Sequence, residues 1–392
     1  MQSKARDVLV AGASTQSRAR RPIPWEWAVC VERQGCMETW RTPEGLKQMV
    51  TWTFDQGGPV FGYMNRPSGL ATNMLGPGSV VSELEVEAAV ILLQTVAPFL
   101  STDDLLVRWL GNGSDACDMA VRVARAVTGK PSIISVGYHG SSVVFATPPQ
   151  NAGVLSGATC TTDHVPFGDT AALVAAAQNP TGIACVIVEV PSTDEKAVEY
   201  LQDVRELTTQ IGALFVLDDI VTGFRLALGG APEWYGVKPD MACYGKAMSN
   251  GRAISALVGP AEHMRWAEDR VFFSNTYNGD PFNCGEVIAT LSYLRSHEGD
   301  VYGHLWDIGE SFKAKMCEVG VPVIGHAPRS AIVFPDENVK REFSKRMVLR
   351  GVVIDRPNYM CYSHTAEHVA LTVEASAEVL HEIGTSGLPL GK

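Results

Sequence analysis

The sequence lacks closely spaced cysteines. Nine cysteines (Cys30, Cys36, Cys117, Cys160, Cys185, Cys243, Cys284, Cys317 and Cys361) are scattered singly, with no Cys-x-x-Cys and no zinc spacing to histidine. The odd count and the size of the chain fit reduced thiols in a cytosolic compartment better than a disulfide framework. Long apolar runs are missing too. The best, 88–100, is broken by Gln94 and Pro98 and falls short of the roughly 20 residues a bilayer demands. There is no long basic run, and the formal net charge is -11, which argues against nucleic acid or an anionic membrane as a main partner. No internal repeat, low-complexity tract or secretory apolar core is present. The residues through Arg21 are basic and contain serine, with Asp7 the only acid, a composition shared with transit peptides.

What is present is a globular composition, 46% hydrophobic and 19% charged over 392 residues, enough for two or three domains and a large core. From about residue 80, helical patterns alternate with short apolar β-rich runs. Helices are expected over 82–100 and 114–128. Strands are expected over 105–110, 132–136, 184–190, 213–217, 241–244 and 253–258. Continuous apolar strands separated by helices predict an α/β fold, with a mostly parallel sheet covered on both faces. The pattern assigns residues 1–50 to an N-terminal arm or segment packing with the small domain, 51–285 to a large domain and 286–392 to that smaller α+β domain, ending in a helix near 365–383.

Four segments carry the candidate chemistry. Gly111-Asn112-Gly113-Ser114-Asp115-Ala116 joins a strand to a helix. Ser114 suits an N-cap, with Asp115 and Asp118 in the first turn. Glycines and free first-turn N–H groups suit a phosphate. A dinucleotide site wants an acid at the end of the next strand, and Gly137-Tyr138-His139-Gly140 stands there instead. Tyr138 or His139 can stack on a flat heteroaromatic ring. Asp218 and Asp219 close an apolar strand, and alternation sends them to opposite faces. One can meet a ligand while the other pairs elsewhere, a magnesium ligand or a solvated strand end being the rival roles. Lys246 follows an apolar strand and Gly245, 28 residues after Asp218, a placement that suits a Schiff-base nucleophile. All four fall at strand C-terminal ends, the edge where open α/β sheets bind ligands.

With these residues assembled, the chain resembles the class III aminotransferases of pyridoxal 5′-phosphate (PLP) fold type I, and within them most resembles the glutamate-1-semialdehyde aminomutases. The likeness runs over most of the chain and is densest from Gly111 to Pro281. Asn112-Gly113-Ser114-Asp115-Ala116 is similar to the family's phosphate loop, Tyr138-His139-Gly140 to its Tyr-His-Gly, and 217–225 to its Asp-containing strand end. Tyr235-Gly236-Val237 and Pro239-Asp240, followed by Gly245-Lys246, resemble the approach to its lysine. The resemblance implies cofactor contacts from Gly113, Ser114, Tyr138, His139, Glu189 and Asp218, with Asp218 at the pyridine nitrogen. Lys246 is implied as the Schiff-base lysine and Tyr138 as the residue over the ring. Thr276, in a segment resembling Thr-x-x-Gly-Asn-Pro, is implied to reach the phosphate of a neighbouring subunit, hence a homodimer. Arg18 is implied to bind the substrate carboxylate, which favours a mature cytoplasmic start over a cleaved one. No metal is implied.

The sequence also departs from the family. Arg252 stands where an apolar residue is preferred, Met360 where the aminomutase has an acid, and Asn112 where serine is usual. The expected activity is amino-group transfer or migration on a small amino or keto carboxylate. The alternatives are decarboxylation or racemisation on the same fold, or a catalytically silent binding protein.

Overall fold

The computed structural model describes residues 22–25, 28–53, 60–62, 81–149, 151–191, 197–272, 274–354, 357–383 and 388. The chain divides into two compact units, one spanning Arg66–Gly299 and the other joining Met1–Asn65 to Asp300–Lys392. The divisions therefore fall near 65 and 299 instead of at 50 and 285.

Residues 1–50 fall in the same unit as the C-terminal residues. They contain an antiparallel meander of β1 (Val29–Gln34), β2 (Met37–Thr42) and β3 (Gly45–Thr51). Gly35, with φ +57, turns the first hairpin. In the second, the Thr42 hydroxyl donates to the Gly45 carbonyl and accepts the Glu44 N–H. Trp40 and Met49 are buried in one cluster with Val348 and Val353, so the strands are fixed by contacts with residues some 300 positions away.

In the larger unit, α1 (Glu83–Val96) starts at Ser82, whose hydroxyl accepts the Glu85 N–H. It stops short of the expected Leu100 because Pro98 cannot continue the ladder, and a 3₁₀ turn covers Ala97–Phe99. Then come β4 (Leu105–Leu110), α2 (Gly113–Thr128), β5 (Ser132–Val136), the unexpected short β6 (Thr162–His164), α3 (Thr170–Ala176) and β7 (Ile183–Glu189). The unit continues with α4 (Ala197–Ile211), β8 (Leu214–Asp218), α5 (Gly230–Tyr235), β9 (Met241–Tyr244), β10 (Ser255–Pro260), α6 (Ala261–Glu268) and α7 (Pro281–Ser296). α7 packs along α1 and against the turn that begins at Lys246, which is why it belongs with the sheet and not with the C-terminal residues.

The seven strands lie in the order β4-β10-β9-β8-β7-β5-β6. β10 is antiparallel to both neighbours, whereas β9, β8, β7, β5 and β6 are parallel. β4 consequently runs with the parallel set, and the C-terminal ends of β4, β5, β7, β8 and β9 share one edge. Alternate residues Ile133, Cys185, Ile187, Val216, Met241, Cys243 and Leu257 pack with Ala116, Cys117, Ala120 and Ala124 of α2. Their neighbours along the strands, such as Ile134, Val186, Phe215 and Ala242, are buried as well. Both faces are covered, as continuous apolar strands require. At about 1.5–3 kcal/mol for each large apolar side chain removed from water, this layer is the rigid floor of the strand edge.

The rest of the smaller unit starts with α8 (Glu298–Glu318), followed by β11 (Val323–His326), β12 (Arg329–Ile332), α9 (Glu337–Leu349), β13 (Val352–Val353), β14 (Asn358–Tyr359) and α10 (Ala366–Glu382). β13 adds in parallel to β3, and β11, β12 and β14 form an antiparallel sheet. Met360 is fully buried, its N–H donating to the Pro328 carbonyl. Among the described residues no helix is long and apolar enough to cross a membrane.

Candidate active site

The strand-to-helix turn after β4 is organised by Asn112, and the expectation that Ser114 caps the helix is corrected. Asn112 is extended at φ -160; its Oδ1 accepts the Asp115 N–H at 3.0 Å and its Nδ2 donates to Asp115 Oδ2 at 2.8 Å. Helix α2 thus begins at Gly113, one residue earlier than expected, and the first-turn acid is Asp115 alone. Asp118 lies farther along and accepts the Ser142 hydroxyl at 2.7 Å. The N–H groups of Gly113 and Ser114, at the first two helical positions, meet no acceptor among the described residues. Unspent donors at the positive end of a sixteen-residue helix suit an anion. A Cβ on Gly113 would stand 3.1 Å from the Ile220 side chain, so the turn has little room for a larger residue.

Beyond β5, Gly137 and Gly140 both have positive φ, +98 and +86, and the two residues between them point apart. Tyr138 is 72% exposed, while His139 is 2% exposed. The Tyr138 N–H donates to Glu189 Oε2 at 3.2 Å, so Glu189, at the end of β7, fixes the backbone that presents the aromatic ring. Gly140 is pressed onto the phosphate-type turn. The Ser141 N–H donates to Ser114 Oγ at 3.0 Å, and a Cβ on Gly140 would lie 2.0 Å from that oxygen and 3.0 Å from Ser114 Cα. Gly140→Ala must therefore move backbone as well as accept a left-handed φ, at a combined cost of about 2–4 kcal/mol. A lower denaturation midpoint is expected, and would be measured by urea titration.

Asp218 and Asp219 separate as alternation requires. Asp219 is fully buried, accepting the Thr222 hydroxyl at 2.5 Å and the Ala231 N–H at 3.1 Å, so it is neither solvated nor a spare ligand. Asp218 lies at the sheet edge, 4% exposed; its Oδ1 accepts the Ile220 N–H at 3.2 Å and its Oδ2 faces His139 Nδ1 at 2.8 Å. Burial opposes charge on His139, but the hydrogen bond to the Asp218 carboxylate and the nearby Cys117 sulfur outweigh it and push the imidazole up to about 10. His139 is thus placed behind Asp218, not on the exposed side with Tyr138. Cys117, which sequence reasoning passed over, completes the group: its Sγ, a His139 ring nitrogen and an Asp218 oxygen lie within 4.8 Å of one another. Three such donors can in principle surround a metal ion. Contact with Cys243, followed by burial and Asp218, keeps the Cys117 thiol well above its ordinary range, however, and the thiolate that a metal requires is not its resting form.

Lys246 follows β9, next to β8 in the sheet. It opens a 3₁₀ turn, Lys246–Ser249, with φ +47, a left-handed conformation unusual for a side-chain-bearing residue. The Gly251 N–H donates to the Lys246 carbonyl at 2.8 Å, so the backbone is pinned although strained. Where that turn enters β10, the Ser255 hydroxyl donates to the Asn112 carbonyl at 2.6 Å, linking the lysine turn to the Gly113 turn. The Arg252 guanidinium sits over the Phe282 ring, 4.9 Å from its centroid, which accommodates the charge by a cation–π contact. Thr276 is exposed beside Tyr277, itself 68% exposed. Arg18 lies outside the described residues. One edge therefore brings together Gly113, Ser114, Tyr138, Glu189, Asp218 and Lys246, with His139 and Cys117 directly beneath.

Over 301 residues the chain is 34% identical to the 3-aminobutyryl-CoA aminotransferase of Cloacimonas acidaminovorans, covering 69% of this chain and 70% of that protein. It is 31% identical over 312 residues to the glutamate-1-semialdehyde 2,1-aminomutase of Methanoculleus marisnigri, covering 70% and 75%. In fold it is similar to the FumI protein of Sphingopyxis sp. MTA144, with a TM-score of 0.87 at 23% identity over 97% of this chain and 95% of that one. An omega-transaminase from Sphaerobacter thermophilus gives 0.82 at 20% identity over 97% and 96%. The family profile described as aminotransferase class-III matches residues 72–354, and the chain belongs to that family.

Proposed function

We propose that this protein is a PLP-dependent aminotransferase or aminomutase acting on a small amino or keto compound that bears a carboxylate. One observation carries the reading: an unspent helix N-terminus, a buried carboxylate backed by a histidine, and a lysine in a strained turn all stand at one strand edge. The residues fit PLP on the structure's own terms. The Gly113 and Ser114 amides suit its phosphate, Asp218 keeps lone pairs for its pyridine nitrogen, and Tyr138 offers an aromatic face for its ring. Bound there, PLP supplies an electron sink for charge developing on the substrate carbon.

The chain's own residues do the rest. The amine of Lys246 holds the cofactor covalently between turnovers, then takes a proton from the substrate carbon and returns it. Asp218, oriented by His139, holds a proton at the pyridine nitrogen. Glu189 positions the Tyr138 backbone. Arg18 receives the substrate carboxylate. We place the active unit as a homodimer in which Thr276 of one protomer reaches the phosphate of its partner; exposed Phe272, Tyr277 and Thr276 on one segment support a covered surface there. A cytoplasmic location is supported by nine cysteines without a disulfide.

The test is the visible spectrum of the protein incubated with PLP and desalted, before and after addition of single amines from a panel that includes 3-amino and semialdehyde acids. A retained band that one amine bleaches, with a keto or rearranged product and no carbon dioxide, is the expected result. Carbon dioxide release would assign decarboxylation instead, and absence of any retained band would end the enzyme reading.

A further inference from the structure

Away from the strand edge, in the smaller unit, two histidines stand four residues apart at the start of α10. Their neighbours decide which nitrogen of each ring carries hydrogen. His364 is fully buried; its Nδ1 accepts the Cys361 N–H at 3.1 Å, and its Nε2 faces the Thr51 carbonyl at 3.2 Å. His368 is half-buried; its Nδ1 accepts the Thr365 N–H at 3.0 Å, which closes a capping box on the first turn of α10. A backbone N–H only donates and a carbonyl only accepts. Both imidazoles are therefore neutral, with hydrogen on Nε2, and a proton added at either Nδ1 would set donor against donor. The rings also join distant segments. His364 stacks on Trp52, just past β3, at 3.9 Å between centroids, while Cys36 Sγ, from the β1–β2 hairpin, lies 3.5 and 3.6 Å from the two nitrogens of His368.

We propose that His364 and His368 form an acid-released clasp: neutral, they fasten the start of α10 to the β1–β3 meander, and protonated, they let it go. A cation on His368 would also stand at the positive end of the α10 dipole, and the two ring centroids are 6.3 Å apart, close enough for two charges to repel. The surrounding ionisable groups leave this balance in place. Burial holds the His368 imidazole below its ordinary 6.5, and Glu367, which accepts the Thr365 hydroxyl at 2.7 Å, opposes this only in part. Cys36 brings no charge near neutrality, since burial pushes its thiol up to about 11. The face of Trp52 tolerates a cation, but the Cys361 N–H does not. A histidine lowered on folding contributes stability that is complete above its unfolded value and is lost as pH falls below it. Release through His368 therefore begins below 6.5. The clasp does not depend on the cofactor reading.

The experiment is amide hydrogen exchange of the full chain with PLP added, read peptide by peptide and corrected for the intrinsic effect of pH on exchange. Between about pH 7.5 and about pH 5.5, the wild-type segment 361–369 should exchange faster, by up to about tenfold per pH unit for each histidine released. The α2 segment 113–128 should not change. His368→Gln, whose side-chain carbonyl accepts the Thr365 N–H at any pH, should weaken the acceleration at 361–369. A long-range proton–nitrogen correlation of ¹⁵N-histidine protein supplies the second readout. At about pH 7.5 both rings should show a protonated Nε2 and an unprotonated Nδ1, each assigned by the resonance lost in His364→Gln or His368→Gln. A protonated Nδ1 on either ring overturns the proposal. So does acceleration that is absent, spread evenly over the chain, or equal in the wild type and His368→Gln. Should His364→Gln fail to fold, the exchange of the wild type and His368→Gln decides alone.

Discussion

Lys246→Ala will keep its fold and lose product formation by on the order of 10⁴-fold, because the residue is asked to supply both the covalent tether and the mobile proton. The measurement is the initial rate of keto-product release with the amine that bleaches the wild-type band, compared at equal protein and saturating PLP. A fall of less than about tenfold would remove the lysine from the chemistry. The backbone supplies a companion prediction. With φ at +47, an alanine at 246 inherits the same left-handed strain that the lysine bears. Lys246→Gly escapes that strain but gains chain entropy when unfolded, leaving it more stable than Lys246→Ala by about 1 kcal/mol. Urea midpoints of the two inactive variants test this, and equal midpoints would show that the turn stores no strain.

Asp218→Asn will reduce turnover by on the order of 10²–10³-fold, the usual consequence of removing one preorganised charge from a reaction centre. It will also change how stability depends on pH. Burial alone lowers the tendency of His139 to hold a proton, and it is chiefly the bond to Asp218 that reverses this and carries the imidazole from 6.5 up to about 10. A histidine raised on folding contributes stability that is complete below its unfolded value and is lost as pH climbs through the folded one. The wild-type protein without PLP should therefore lose stability steadily between pH 6.5 and about 10. In Asp218→Asn the imidazole is buried neutral, and that part of the slope should vanish. Parallel pH curves for the two proteins would show that His139 carries no proton beyond its neutral complement.

Much of the larger unit was legible because its strands are long apolar runs, and because residues needed at the edge sit beside glycines that mark the ends of those runs. Lys246 after Gly245, and the acids after Leu217, were visible for that reason. The meander at 29–51 carried a fair signal in its alternation and in Pro43-Glu44-Gly45, but Arg, Pro and Trp in the flanking residues masked it. The cap at Asn112 was misassigned because both Asn112 and Ser114 have capping side chains, and only the extended backbone at 112 decides between them. The pairing of His139 with Asp218 spans 79 residues and that of Gly140 with Ser114 is a contact between loops. No local pattern encodes either one. Cys117 looked like any buried cysteine of a helix, and its neighbourhood exists only once α2 lies across β8 and β9.

The reversed direction of β10 has a consequence for the order in which the protein assembles. β9, the lysine turn and β10 form a hairpin within 241–260, a contact between near neighbours that closes at little entropic cost. The opposite half of the same cleft is joined to it across 143 residues, through the Ser255 hydroxyl and the Asn112 carbonyl, and such distant closures come slowly. A ribosome delivers Asn112 long before Ser255, yet the Gly113 turn must wait for the last strand of the sheet before it can be locked beside the lysine. Cofactor capture is thereby a late event in the life of each new chain, gated by completion of the sheet and not by synthesis of the phosphate turn.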